Sequence, residues 1–245
     1  MYRFFIKEDQ IKDGYALIKG TDVNHIRRVL RMKPGEKVFL SCGGDLEYEC
    51  SLEEFSEEEI RAKIIDVHGM ETELPTKIIL YQGLPKGDKM ELIVQKAVEL
   101  GVSEIVPVAM KRCVVKFDDK KAVKKVQRWN TIALSAAKQA KRGVIPEVSQ
   151  IKTFREVIEE VKDSELFLAP YEEAKGMEAS RELIASVKGK SRIGIIIGPE
   201  GGFEKEEIDA LRKAGAETMT LGKRILRTET AGMAVLSVLM FMLEE

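Results

Sequence analysis

The chain reads as an α/β protein in which a small β-barrel precedes a mostly parallel sheet. Three observations predict this. The first seventy or so residues are short strand-like runs separated by turns. From Lys77 onward, short apolar runs alternate with helical segments. Near the end, two apolar runs each lead through a glycine-bearing loop into a helix. These loops are Gly198-Pro199-Glu200-Gly201-Gly202 and Leu221-Gly222-Lys223-Arg224-Ile225-Leu226-Arg227-Thr228-Glu229-Thr230-Ala231-Gly232.

In the first region, residues 3–6, 15–18, 37–41, 46–52 and 60–65 have strand character, and turns at 33–36 and 42–45 separate several of them. One short helix interrupts them, with Thr21-Asp22 capping residues 23–31. It carries His25, Arg27, Arg28 and Arg31. Arg27 and Arg31 are i,i+4 and Arg28 and Arg31 are i,i+3, so the spacing predicts one basic stripe. Such a stripe fits nucleic-acid phosphates; an ordinary solvated face is the plainer alternative. Residues 71–75 read as a linker, which divides the chain into domains at 1–70 and 75–245.

The second region begins with a strand at 78–82 and a loop at 83–87. Asp88 is expected to cap a helix that runs to Leu100 and stops at Gly101. A strand follows at 105–108, then a helix at 120–141, a strand at 166–170, a helix at 177–187 and a strand at 193–197. A helix at 204–213, a strand at 218–221 and a last helix from Thr228 complete it. Residues 111–142 are strongly basic: Lys111, Arg112, Lys116, Lys120, Lys121, Lys124, Lys125, Arg128, Lys138, Lys141 and Arg142 face only Asp118 and Asp119 in sequence. That imbalance fits phosphate binding. Phe117 and Trp129, within it, read as core. The last helix is apolar nearly all round, which places it in a core or at an interface. Its small residues Ala231, Gly232, Ala234 and Ser237 allow close approach, so a symmetric dimer contact is expected there.

Composition narrows the function classes. A net charge of −1 over 245 residues excludes wholesale coating by nucleic acid and leaves room for a local basic face. Cys42, Cys50 and Cys113 form no C-x-x-C pair and there are two histidines, so neither a metal centre nor a disulfide framework is expected. The thiols read as reduced and the protein as cytoplasmic. No signal-peptide core opens the chain. The longest apolar run, 231–243, falls short of the roughly 20 residues that span a bilayer, so no membrane partner is expected.

The run at 192–197 is β-branched and almost uncharged, as suits a strand covered on both faces. The glycines after it permit positive φ and close approach of backbone to a ligand. Glu204, Glu206 and Glu207 then stand at a helix start, where the macrodipole favours acids. Ligands bind at such loops in open α/β sheets. Taken alone, a plain tight turn explains this loop equally well. The spacing matches neither G-x-G-x-x-G nor a P-loop.

Together these motifs resemble the SPOUT superfamily of trefoil-knotted methyltransferases. The residues are Gly198-Pro199-Glu200-Gly201-Gly202-Phe203, Leu221-Gly222 and Ile225-Leu226-Arg227-Thr228-Glu229-Thr230-Ala231. Within that superfamily the chain is similar to the RsmE family, which methylates N3 of a uridine in small-subunit (16S) ribosomal RNA. Further matches are His25-Ile26-Arg27-Arg28-Val29-Leu30-Arg31-Met32, like the basic helix of that family's PUA-like barrel, and Lys89-Met90-Glu91. Gln95 to Val102, Arg112-Cys113, and Gln139 with Arg142 and Pro146 also match.

The resemblance implies a deep knot near the C-terminus, a homodimer with the last helix at its interface, and S-adenosylmethionine as cofactor. The cofactor would rest on Gly198, Pro199, Glu200, Gly201, Leu221, Gly222, Ile225 and Leu226, with Leu168, Ala169 and Pro170 as a third wall. Arg227, Thr230 and Ala231 would border it. RNA contacts are expected from Arg27, Arg28, Arg31, Arg112 and Lys116, with Gln139 and Arg142 reaching in from the partner subunit. Where family members often carry Glu, this chain has Lys138.

Uridine N3 carries a proton that must leave before its lone pair can attack a methyl group. The site therefore needs a base, or a cation that stabilises the uridine anion. Arg227, always charged and planar, is the candidate for the anion. Glu229 is a candidate either to orient Arg227 or to act as base; an ordinary first-turn acid is the plainer reading. Glu200 reads as loop-shaping. Three other functions compete: a 2′-O-ribose methyltransferase of the same fold, a non-catalytic ribosome-assembly factor, and a nucleotide-dependent oxidoreductase. The last lacks a glycine-rich fingerprint.

Overall fold

The computed structural model describes every residue except Lys175 and Glu245. It divides into two compact units: residues 1–73 with 137–145, and residues 74–136 with 146–245.

The first unit holds β1 (Tyr2–Phe5), β2 (Ile11–Lys12), β3 (Tyr15–Lys19), α1 (Thr21–Asn24), β4 (Lys37–Ser41), β5 (Leu46–Phe55) and β6 (Glu59–Gly69). The strands form one sheet in the order β1-β4-β5-β6-β3-β2. The β1–β4 pair is parallel and the others are antiparallel. Alternation decides which face is buried: Ala16 and Ile18 of β3, Val38 and Leu40 of β4, and Ile60 and Ala62 of β6 share one core with Phe4, Ile26 and Leu52.

The basic helix differs from expectation. After α1 the chain widens into a π-helical turn over His25–Val29, and Arg31 takes a left-handed φ of 55°. Wider winding breaks the i,i+4 stacking on which a single stripe depended. Arg27 donates to the Ser56 carbonyl at 2.8 Å, while Arg28 and Arg31 are exposed and make no ion pair among the described residues. Segment 137–145 belongs to this unit through Glu73. That carboxylate pairs with Arg142 and accepts the Gly143 N–H at 2.9 Å. Lys138 is matched by the buried Asp22 at 2.6 Å, so a cation at this position has its own acid.

The second unit contains β7 (Lys77–Gly83), α2 (Lys89–Glu99), β8 (Glu104–Ala109), α3 (Asp119–Gln139, its last turn in the first unit), β9 (Glu147–Val148), β10 (Lys152–Thr153) and α4 (Phe154–Glu160). They are followed by β11 (Leu166–Pro170), α5 (Met177–Ala185), β12 (Arg192–Ile197), α6 (Lys205–Ala214), β13 (Glu217–Met219) and α7 (Thr228–Leu243). The sheet runs β10-β8-β7-β12-β11-β13, with β9 also beside β8, and every pairing is parallel. β7 and β12 are buried along almost their whole length, as strands covered on both faces must be.

Four short elements escaped the sequence reading: β2, β9, β10 and α4. α4 had a legible signal, the capping box in which Thr153 and Glu156 satisfy each other's backbone N–H. Asp88 precedes α2 but makes no side-chain cap bond. The strand expected at 218–221 ends at Met219, because Thr220 and Leu221 turn out of the sheet into a loop.

Candidate active site

Four loops leave the carboxyl ends of β7, β11, β12 and β13, and a cavity of about 500 Å³ lies among them. That is the size range of small-molecule sites. The loop after β12 turns tightly: the Gly202 N–H donates to the Pro199 carbonyl at 2.9 Å, with Gly202 at a φ of +67°. Its crowding explains two of its glycines. A Cβ on Gly201 would come within 2.9 Å of Arg112 Cβ, and one on Gly198 within 3.2 Å of the Gly202 backbone. From below, Gly83 at the end of β7 touches the loop so closely that a Cβ would stand 2.7 Å from Pro199.

Glu200 fastens the same loop to the β7–α2 connection. It accepts the Lys86 N–H at 3.0 Å and a bond from Lys89 Nζ at 2.8 Å. Burial alone would raise its carboxyl's titration, but the Lys89 and Lys86 bonds outweigh burial and hold it below the usual glutamate range. The expected loop-shaping role is what the structure shows.

The loop after β13 is held from within and from behind. The Thr220 N–H donates to Ser180 Oγ at 2.9 Å, and Gly222 has a φ of +117° that few other residues adopt. At its end Thr228 joins it to the β12 loop. Thr228 Oγ1 donates to the Gly198 carbonyl at 2.6 Å and accepts from Gln82 Nε2 at 2.9 Å. All three residues are buried. Sequence reasoning missed Gln82 and Thr228. The available signal was a glutamine inside an otherwise apolar, fully covered strand, which needs a partner.

Most of the expected cofactor residues converge. Pro170, Gly198, Pro199, Glu200, Gly201, Ile225, Leu226, Arg227 and Ala231 line the cavity. Leu221 and Gly222 line an adjoining cleft together with Pro170, Ile225, Leu226 and Ala231. Three stand apart: Leu168 and Ala169 are wholly buried within β11, whose last residue reaches the cavity, and Thr230 is exposed on α7. Lys89, Glu172 and Phe203 are lining residues that sequence reasoning gave no role.

Arg227 immediately precedes α7 in extended conformation and is exposed. It makes no ion pair with Glu229, so the orienting role considered for that acid is not seen. Instead Glu229 Oε2 is buried without a hydrogen-bond partner and faces Lys89 Nζ at 3.8 Å.

The basic segment is partly neutralised by acids distant in sequence. Arg112 binds the Gly201 carbonyl at 2.8 Å and Glu204 at 3.0 Å, which makes it a loop brace. Arg128 pairs with Glu91, and Lys111 stands 3.7 Å from Glu206. Arg142, expected on the RNA, is 4% exposed and paired with Glu73; a buried pair of this kind does not reach a ligand. Lys116, Lys120, Lys124, Lys125 and Lys141 make no ion pair among the described residues, and Gln139 is exposed. Trp129 is core, in edge contact with Phe117. Among the described residues no cluster of three or more His, Cys, Asp or Glu could hold a metal, and no helix is long and apolar enough to cross a membrane.

Comparison with known proteins agrees with this geometry. Residues 72–240 match the family model of an RNA methyltransferase domain, and residues 18–65 that of an RNA methyltransferase PUA domain. Ribosomal RNA small subunit methyltransferase E of Bacillus subtilis is 36% identical, with 100% of this chain and 98% of that protein covered. The crystal structure of the Neisseria gonorrhoeae ribosomal RNA small subunit methyltransferase E, bound to S-adenosyl methionine, superposes with a TM-score of 0.80. It is 32% identical and covers 96% of this chain and 95% of its own. A methyltransferase from Legionella pneumophila in complex with the same cofactor gives a TM-score of 0.83 at 34% identity, over 97% and 96% of the two chains. With barrel, parallel sheet and loop cavity all accounted for, the chain belongs to the ribosomal RNA small subunit methyltransferase E family of RNA methyltransferases.

Proposed function

We propose that this protein transfers the methyl group of S-adenosylmethionine to N3 of a uridine in small-subunit ribosomal RNA. The carrying observation is the cavity between the two glycine loops, with Arg227 at its edge. The residues present fit the cofactor. The cavity is lined by the glycine loop after β12 and bordered by the acids Glu172 and Glu200, suited to a cationic ligand.

When bound, S-adenosylmethionine supplies an electrophilic methyl on a sulfonium. The chain's own task is to free the N3 lone pair and hold the base in line. As N3 loses its proton, charge spreads onto the two flanking carbonyl oxygens of the uracil. The Arg227 guanidinium stabilises that charge, and Glu229 accepts the proton. Arg28 and Arg31 on the first unit, and Lys116, Lys120 and Lys124 on the second, supply phosphate contacts. Arg112 and Arg142 act indirectly, by bracing the loop and segment they hold.

The protein works as a homodimer in the cytoplasm. Support for the dimer comes from α7, where Phe241 is 81% and Val238 45% exposed although the helix is apolar.

The test is methyl transfer from labelled S-adenosylmethionine to small ribosomal subunits lacking their native modifications, with the labelled nucleoside identified by mass spectrometry. Label in 3-methyluridine is expected. Label in a 2′-O-methyl nucleoside would overturn the target. Neither label nor cofactor binding would favour a non-catalytic assembly factor.

A further inference from the structure

Lys89 opens α2, and its ammonium stands between one carboxylate on the β12 loop and one in the first turn of α7. Nζ is 2.8 Å from Glu200 Oε1 and 3.8 Å from Glu229 Oε2. The Glu229 oxygen that faces it is buried and accepts no hydrogen bond. Lys89 is the ion-pair partner of Glu229 among the described residues, and the Glu229 side chain is 16% exposed. The other charged groups around this ammonium are Glu200 on the β12 loop and Arg227 two residues before Glu229. Without Lys89, two acids would face each other across a partly covered pocket, a pairing that opposes ionisation of both. The separation from Glu229 is about one ångström longer than a hydrogen bond, so a small swing of the lysine side chain closes it.

We propose that Lys89 is a positioning residue for methyl transfer, its ammonium aiming the Glu229 carboxylate while it ties down the cofactor loop through Glu200. This rests on the reading of Glu229 as proton acceptor. In that step the N3–H bond breaks and the proton passes to the Glu229 carboxylate; the electron pair left on N3 forms the bond to the methyl carbon as the methyl–sulfur bond breaks, its pair leaving on the sulfur as a neutral thioether. Lys89 holds the acceptor carboxylate in place before transfer. Its bond to Glu200 serves the cofactor loop separately, which lets the two roles be told apart.

The experiment compares wild type with K89Q, K89R, E200Q and E229Q in two measurements: kcat at saturating cofactor and calorimetric binding of S-adenosylmethionine. K89Q is expected to lower kcat by about 10²-fold, and K89R to restore most of it. E200Q is expected to weaken cofactor binding more than it lowers kcat. Undiminished kcat in K89Q, with binding weakened as in E200Q, would overturn the proposal and leave Lys89 a loop anchor. Should K89Q fail to fold, the near-isosteric K89M decides by the same criterion. Wild-type kcat in E229Q would overturn the proton-acceptor reading itself, whatever Lys89 does.

Discussion

Arg227 and Glu200 line the same cavity, and their charges are met in opposite ways. Arg227 is exposed and makes no ion pair among the described residues, so its charge is not spent within the chain. Replacing it with alanine is expected to lower kcat by about 10²–10³, the usual effect of losing a preorganised charge-stabilising donor. Cofactor affinity should stay within roughly tenfold, or about 1.4 kcal/mol; labelled-methyl kinetics beside calorimetry measures both. Glu200 is already committed to Lys86 and Lys89. Because its folded carboxyl titrates below the ordinary value of 4.5, the anchor is fully present above that pH and is lost as pH falls through the depressed one. The difference in thermal midpoint between wild type and E200Q should therefore be constant from neutrality to about pH 4.5 and shrink below it. A difference that already vanishes near pH 6 would contradict the assignment. Thr228 shows how much one buried hydroxyl can decide: without it, the Gly198 carbonyl and the Gln82 amide would each lose a partner, at about 1–3 kcal/mol apiece.

At the scale of elements, the π-helical turn after α1 sets the first unit's basic surface. It separates Arg27, spent on the Ser56 carbonyl, from Arg28 and Arg31, which remain open. Removing both open charges should weaken RNA binding and flatten the slope of log K against log salt. The slope should fall by about 0.9 for each phosphate no longer neutralised on a duplex and by about 0.7 on a single strand. Filter binding across a salt series reads this; an unaltered slope would make the turn an ordinary solvated face. The helix positions read from the sequence were largely sound because amphipathicity is local, but the caps expected at Thr21-Asp22 and Asp88 do not form: α1 already begins at Thr21 after Gly20, and Asp88 makes no side-chain bond. α3 was expected at 120–141 and runs Asp119–Gln139; α6 was expected at 204–213 and runs Lys205–Ala214. The π turn was not legible, since it arises when Ile26 is drawn into the barrel core while Met32 still bonds back to it. Two-residue strands such as β9 and β10 carry too little pattern to be read at all.

At the scale of the molecule, an apolar helix face is left uncovered on α7. Phe241 and Val238 on α7 point to solvent, and Ile225 in the preceding loop is 87% exposed. If these residues form the seam of a dimer, F241D should convert it to a monomer in sedimentation velocity without unfolding it, since Phe241 contributes little to the chain's own core. An unchanged dimer would place the seam elsewhere.

The sequence by itself determined the two architectures. Alternation of period two specified the barrel strands, β-branched apolar runs specified the covered strands β7 and β12, and the glycine loops stand where the cavity opens. These signals are local, set by side-chain direction and allowed φ. What only the tertiary structure decided is which charges are free. Acids at Glu73, Glu91 and Glu204, far away in sequence, consume Arg142, Arg128 and Arg112. Lys89, by contrast, is brought between Glu200 and Glu229. Coulomb interaction depends on distance in space and on burial, neither of which a linear count of basic residues contains.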